Sequence, residues 1–252
     1  MNDFGMEEGG ILAKTKIYQA LLCTVAGLLL FGSWYLDPYS GFWFALDKKI
    51  FCFFNSLLTA NKTFMYFVAA VNLRIFDIVS LAAMAFIMYG YYKNANVEGK
   101  RWLFCVGATM LLSAVLIKQL DFLIPADRVS ASVYFNNLEH NVNFVSQLSG
   151  WPAKDRSSGS FPGDHGIMLM IFACFMWKYL GRRAFAKALV VLVVFSLPRI
   201  MSGAHWFTDI AVGSLSVVLV GLSWILLSPF ADRVTGLLEK YVPLRWFLLK
   251  RK

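Results

Sequence analysis

Residues 206–229 read W-F-T-D-I-A-V-G-S-L-S-V-V-L-V-G-L-S-W-I-L-L-S-P, an apolar run with no charge after Asp209. Its hydrophobic residues are continuous rather than alternating, so it reads as a helix that buries apolar side chains all round and not as a barrel strand. About 20 such residues span the hydrocarbon core of a bilayer. Working outward from it, five more stretches read the same way, at approximately 17–36, 76–92, 102–124, 166–181 and 185–202. The chain has 252 residues, of which 58% are hydrophobic and 16% aromatic, and its mean hydropathy is +0.59. That composition excludes a soluble α/β domain. The expected fold is an all-α integral membrane protein of six transmembrane helices in a single domain, residues 1–252.

A further stretch, Lys49 to Val71, mixes Phe51, Phe53, Phe54, Leu57 and Leu58 with Asn55, Asn61 and Lys62. As a span it would place Asn61 and Lys62 in mid-bilayer, so it is expected to lie at the interface as an amphipathic helix. The net charge of +9 resides in segments on one side of the alternating spans. These carry Lys14 and Lys16, then Lys93, Lys100 and Arg101, then Lys178, Arg182, Arg183 and Lys187, and finally Arg233 to Lys252. The positive-inside rule therefore sets both termini in the cytoplasm. The basic excess then reports topology and anionic headgroups, not nucleic acid. Nothing before residue 17 has the form of a cleavable leader, so the first helix is expected to remain as an anchor. Cys23, Cys52, Cys105 and Cys174 have no paired spacing and read as packing residues.

The longest polar excursion runs from about Pro125 to Asp164, between the third and fourth spans. It shares the non-cytoplasmic face with the short connection Arg199 to His205. Polar residues at these two places form the candidate site. His205 and Asp209 lie four apart at a helix start, on one face. A carboxylate on one imidazole nitrogen fixes the tautomer and leaves the other nitrogen to attack, which makes His205 the candidate nucleophile. A capping or packing pair would give the same spacing. His165 follows Phe161-Pro162-Gly163-Asp164 and falls in the first turn of a helix, where free N–H groups attract phosphate. It is the candidate general acid, and Asp164 the candidate N-cap.

Arg199, at the mouth of the fifth span, suits phosphate oxygens; snorkelling to headgroups is the alternative. Lys118, at the end of the third span, is a second phosphate ligand or the partner of Asp121. Of the loop bases Arg128, Lys154 and Arg156, Arg128 follows the span most closely and is preferred. His140 has no spaced partner and is expected to be solvated. Arg74 and Asp77 are expected to pair with each other at a helix end.

These residues resemble the type 2 phosphatidic acid phosphatase superfamily, whose motifs read K-x6-R-P, P-S-G-H and S-R-x5-H-x3-D. The third is P-R-I-M-S-G-A-H-W-F-T-D here, with Pro198 for the serine and the remaining fixed positions kept. The second is P-G-D-H, which keeps Pro162 and His165. In the first, Lys118 is followed by six residues and Pro125, with no arginine between, and Arg128 stands in as a substitute. Within the superfamily, S-F-P-G-D-H-G and R-I-M-S-G-A-H-W-F-T-D-I resemble the bacterial inner-membrane lipid A phosphotransferases.

The resemblance implies an enzyme that needs no metal or other cofactor, with its site facing the periplasm. It implies undecaprenyl diphosphate as donor, the 1-phosphate of lipid A as acceptor, and a phosphohistidine intermediate. His205, His165 and Asp209 would be catalytic, and Arg199, Arg128 and Lys118 would bind phosphate. Two rivals stay open from the residues alone. One is a lipid phosphate phosphatase that uses water as acceptor, and the other a transporter or scaffold with buried charges.

Overall fold

The computed structural model describes residues 3–120 and 128–248, and these are all-α. Five helices are long and apolar enough to cross a membrane. They are α1 (Asp3–Tyr35, apolar over Lys14–Tyr35), α4 (Ile75–Asn94), α5 (Val97–Lys118), α9 (Arg182–Met201) and α10 (Asp209–Leu227). The expected fourth span is α8 (Asp164–Leu180), a helix of 17 residues and so about 25 Å long at 1.5 Å per residue. It is the central post of the bundle. Ile167, Leu169, Ile171, Phe172, Phe175 and Met176 are buried against Val106 and Ile117 of α5, Ala188, Val191 and Phe195 of α9, and Val217, Val218 and Leu222 of α10.

A helix covered by its neighbours need not span the lipid by itself, which is why α8 can be shorter than the others. The outer faces are the reverse of a soluble protein. Leu22, Leu29, Ile78, Phe86, Val190 and Val193 are all exposed, as side chains that contact acyl chains would be. This is the build of a multi-pass membrane protein.

The amphipathic stretch expected at Lys49–Val71 is helical, but it starts earlier and is broken. Helix α2 covers Gly41–Ala60 and α3 covers Lys62–Val71. Asn61 makes the break. Its backbone is extended, and its side-chain oxygen accepts the N–H of Phe64, which caps α3. The third expected span was to run to residue 124. Its helix ends at Lys118, and residues 121–127, with Asp121 and Pro125, lie outside the described residues.

The polar excursion folds down onto the bundle end. It carries α6 (Ala131–Glu139) and α7 (Val145–Ser149), and hydrogen bonds tie it to the ends of α3 and α9. Lys154 N–H donates to Asn72 O at 2.9 Å, and Ser132 N–H donates to Gly203 O at 3.1 Å. Gly203 has φ +75°, and a Cβ there would meet the Phe51 ring at 2.7 Å, so only glycine lets the chain turn out of α9 under α2. Helix α11 (Phe230–Tyr241) returns along α5, where the Thr235 and Thr109 hydroxyls meet at 2.9 Å. All four cysteines are free thiols.

Candidate active site

The two motif regions meet where the start of α8 crosses the start of α10. Gly163 N–H donates to Asp209 O at 3.0 Å, and the Ser214 hydroxyl bonds to the carbonyls of both Gly163 and Asp209, at 2.7 and 3.1 Å. A Cβ on Gly166 would lie 2.6 Å from that hydroxyl, so the approach requires glycine. The crossing brings His165 and His205 to one cavity of about 280 Å³, whose walls also include Asp77, Lys154, Ser157, Asp164 and Arg199.

His205 is held from one side. Its Nδ1 lies 3.1 Å from Asp209 Oδ2 and 3.0 Å from the Ser160 carbonyl oxygen. Neither partner can donate, so Nδ1 carries the proton and the lone pair resides on Nε2. His205 also lines the cavity, and Nε2 is the nitrogen left to attack an electrophile there. Asp209 is wholly buried and is fixed in turn. Its Oδ2 accepts the Trp206 N–H at 2.9 Å, and its Oδ1 accepts from Arg128 Nη1 at 3.1 Å.

Arg128 is therefore not where it was expected. Its guanidinium is 2% exposed, is absent from the cavity wall and is spent on carboxylates and a hydroxyl. Besides Asp209 it meets Asp47 Oδ2 at 2.9 Å and the Thr208 hydroxyl at 2.8 Å, and it is sandwiched between Trp206 and Trp34 at 4.1 and 5.2 Å. Two carboxylates outbid the cavity for it, because an unpaired buried guanidinium or carboxylate is costly. Asp47 also accepts the Thr208 N–H at 3.0 Å. It was missed in the sequence, where it lies two residues ahead of the amphipathic stretch that opens at Lys49.

Arg199 does line the cavity and is nearly buried, with 4% of its side chain exposed. Its Nη2 pairs with Asp77, and its Nη1 donates to Asn72 Oδ1 at 3.4 Å. Asn72 is itself pinned by donating to Val68 O and Pro198 O. The expected Arg74 to Asp77 pair thus gives way to Asp77 with Arg199, because the first turn of α4 packs against the end of α9 and brings the two within reach.

Lys118 forms an ion pair with Asp164, both more than half exposed, and lies outside the cavity wall. Asp164 is the first residue of α8, so the N-cap position falls on Gly163 instead. Lys154, ranked below Arg128 in the sequence, is in the wall. Partial burial holds its pKa below the ordinary lysine range, Arg199 and Arg74 lower it further, and Asp77 and Asp164 oppose them.

His165, in the first turn of α8 ahead of its apolar stretch, is half-buried in the cavity wall. His140 ends α6 in a left-handed conformation, exposed and away from the site. Among the described residues no three His, Cys, Asp or Glu side chains gather as a metal site.

Comparison with known proteins places this geometry in a lineage. The chain is 46% identical over 226 residues to lipid A 1-diphosphate synthase of Escherichia coli (strain K12), an alignment that covers 89% of this chain and 94% of the relative. Residues 132–232 match the PAP2 superfamily model. The chain belongs to the PAP2 superfamily. The matched stretch contains the second and third PAP2 motifs and begins beyond Lys118 and Arg128, the region where the first motif is incomplete. No solved structure matches the chain.

Proposed function

We propose that this PAP2 protein moves a phosphoryl group from undecaprenyl diphosphate to the 1-phosphate of lipid A through a phosphohistidine on His205. The observation that carries the reading is the state of His205. Its Nδ1 is saturated by two acceptors while Nε2 is left to a cavity that also holds His165 and Arg199. The name and 46% identity of the relative support the choice of lipid A.

In the first step Nε2 forms a bond to the terminal phosphorus, and the bond from phosphorus to the bridging oxygen breaks. Undecaprenyl phosphate departs with the electron pair, and His165 supplies a proton where one is required. Arg199 and the free N–H groups opening α8 neutralise the charge that develops. In the second step an oxygen of the acceptor phosphate attacks phosphorus, the P–N bond breaks, and His205 returns neutral. We assign Asp209 to orienting His205. Arg128 serves the phosphoryl site through Asp209, and Lys118 serves it through Asp164.

We read the chain as one domain in the bacterial inner membrane, with α8 as the sixth span and both termini in the cytoplasm. The excursion, α2, α3 and the cavity then face the periplasm. The basic clusters at the ends away from the cavity support this orientation.

The test uses purified protein in detergent with undecaprenyl diphosphate labelled in its terminal phosphate, with and without lipid A. Label on lipid A, and an acid-labile phosphoenzyme that disappears in His205→Ala, are the expected results. Free phosphate released equally with and without lipid A would show that water is the acceptor. No turnover and no phosphoenzyme would leave a non-catalytic protein.

A further inference from the structure

Behind the catalytic cavity lies a second polar cavity of about 820 Å³, whose walls include Arg74, Ser146, Asp155 and Arg156. Asp77 and Lys154 line both cavities, so the two adjoin across these side chains.

The charges of the second cavity are unevenly committed. Asp77 is taken by Arg199. Asp155 is 2% exposed and holds the loop together, with Oδ2 accepting the Ser146 N–H at 2.7 Å and Oδ1 accepting from Arg156 Nε at 3.3 Å. Among the described residues Arg74 and Lys154 make no side-chain ion pair. Arg156 is stacked on Phe144 at 4.1 Å and engages only its Nε. Three cations thus converge on a water-accessible hollow whose two carboxylates are already spent. Such a concentration of positive charge favours a bound anion with several oxygens. Burial is the first cause of the lowered pKa of Lys154, and the charges of Arg199 and Arg74 add to it against those of Asp77 and Asp164.

A transferase of this kind has a requirement that a phosphatase lacks. Its acceptor is itself a phosphate monoester, a dianion that must be held beside a second phosphoryl group despite their repulsion. Resting on the function proposed above, we infer that Arg74, Arg156 and Lys154 form the acceptor subsite, which binds the acceptor's phosphate monoester next to phosphorylated His205. Lys154 is the shared wall, within reach of both anions. An acceptor oxygen then forms the new P–O bond as the P–N bond to His205 breaks.

Steady-state transfer from labelled undecaprenyl diphosphate to lipid A, in detergent, tests this in Arg74→Gln, Arg74→Lys and the Arg74→Gln/Arg156→Gln pair. The double variant is expected to raise KM for lipid A on the order of tenfold or more relative to any change in donor KM, as loss of charge-assisted bonds to an anion does. More of the label should leave as free phosphate, and Arg74→Lys should recover part of the effect. Donor KM, read in the same samples, shows that the variants are folded. Acceptor KM unchanged, or raised no more than donor KM, in a protein whose wild type transfers normally would overturn the subsite alone. A wild type that puts no label on lipid A would overturn the transferase reading and the subsite with it.

Discussion

Asp209 does two jobs with two oxygens, and they separate by substitution. Its Oδ2 accepts from His205 Nδ1 and its Oδ1 from Arg128. In Asp209→Asn the amide can offer an N–H where the carboxylate oxygen stood, which favours the tautomer protonated on Nε2 and removes the nucleophilic lone pair. In the Ser-His-Asp enzymes the comparable change costs about 10⁴ in rate. Here the Ser160 carbonyl also accepts from Nδ1 and keeps part of the population in the reactive tautomer. The expected loss is therefore nearer 10²–10³, measured as the rate of phosphoenzyme formation. His165 gives a second test. The departing group of a diphosphate is a phosphate, whose second pKa is about 6, and it needs little help from an acid. An alkoxide needs much. His165→Asn should slow turnover of a lipid phosphate monoester on the order of 10² or more and slow undecaprenyl diphosphate turnover much less. Equal losses on both substrates would remove the general-acid role. His165, His205, Asp209 and Arg199 could be singled out in the sequence because their spacing is local to the starts of α8 and α10 and the end of α9. The Ser160 carbonyl was not, since a backbone acceptor leaves no mark on residue type.

At the scale of elements, α2 is joined to the start of α10 by one buried group. Asp47 accepts from Arg128 and from Thr208 N–H, 161 residues further along the chain. Nothing in the sequence pairs these residues, and Asp47 lies two residues ahead of the stretch that the amphipathic pattern marks. The pattern told that Lys49–Val71 is helical without telling that the helix begins at Gly41 and takes in Asp47, or that Asn61 divides it. The same limit applied to Asp77, whose nearest base in sequence is Arg74 while its partner in space is Arg199. Asp47→Ala would leave the Arg128 guanidinium with one carboxylate and Thr208 N–H without an acceptor, both of them buried. Breaking a buried pair in this way costs about 3–5 kcal/mol, which should appear as a clear loss of thermal stability in detergent. Activity should fall too, although Asp47 does not touch the cavity, because Asp209 then inherits all of the guanidinium's charge. Asp47→Asn retains an acceptor for Thr208 N–H and should be milder on both counts. Stability and activity unaffected in Asp47→Ala would mean that Arg128 and Asp209 hold their positions without α2.

For the whole molecule, the placement of charge makes a prediction about sidedness that geometry alone does not. The cavity, α2, α3, α6 and α7 collect at one end of the bundle, and α11 with the basic connections between α4 and α5 and between α8 and α9 at the other. If the positive-inside rule retains these bases in the cytoplasm, the cavity is expected to face the periplasm, the side on which a lipid-linked diphosphate and an outer-leaflet acceptor would meet it. Single cysteines decide the matter. His140 is exposed at the cavity end and Lys240 at the other. Among the native thiols Cys52 alone is exposed, so Cys52→Ser gives a quiet background. In cells with a permeabilised outer membrane and an intact inner one, a membrane-impermeant maleimide should label His140→Cys and spare Lys240→Cys until the cells are lysed. The reverse pattern would put the site in the cytoplasm. Labelling of both in intact cells would mean an even number of crossings between them, and since α8, α9 and α10 are the apolar helices that separate the two positions, labelling of both would require one of the three not to cross. The helix to suspect would be α8, because its 17 residues are sheathed by protein. Labelling confined to His140→Cys would instead support α8 as a true span, shortened because its neighbours and not lipid satisfy its flanks.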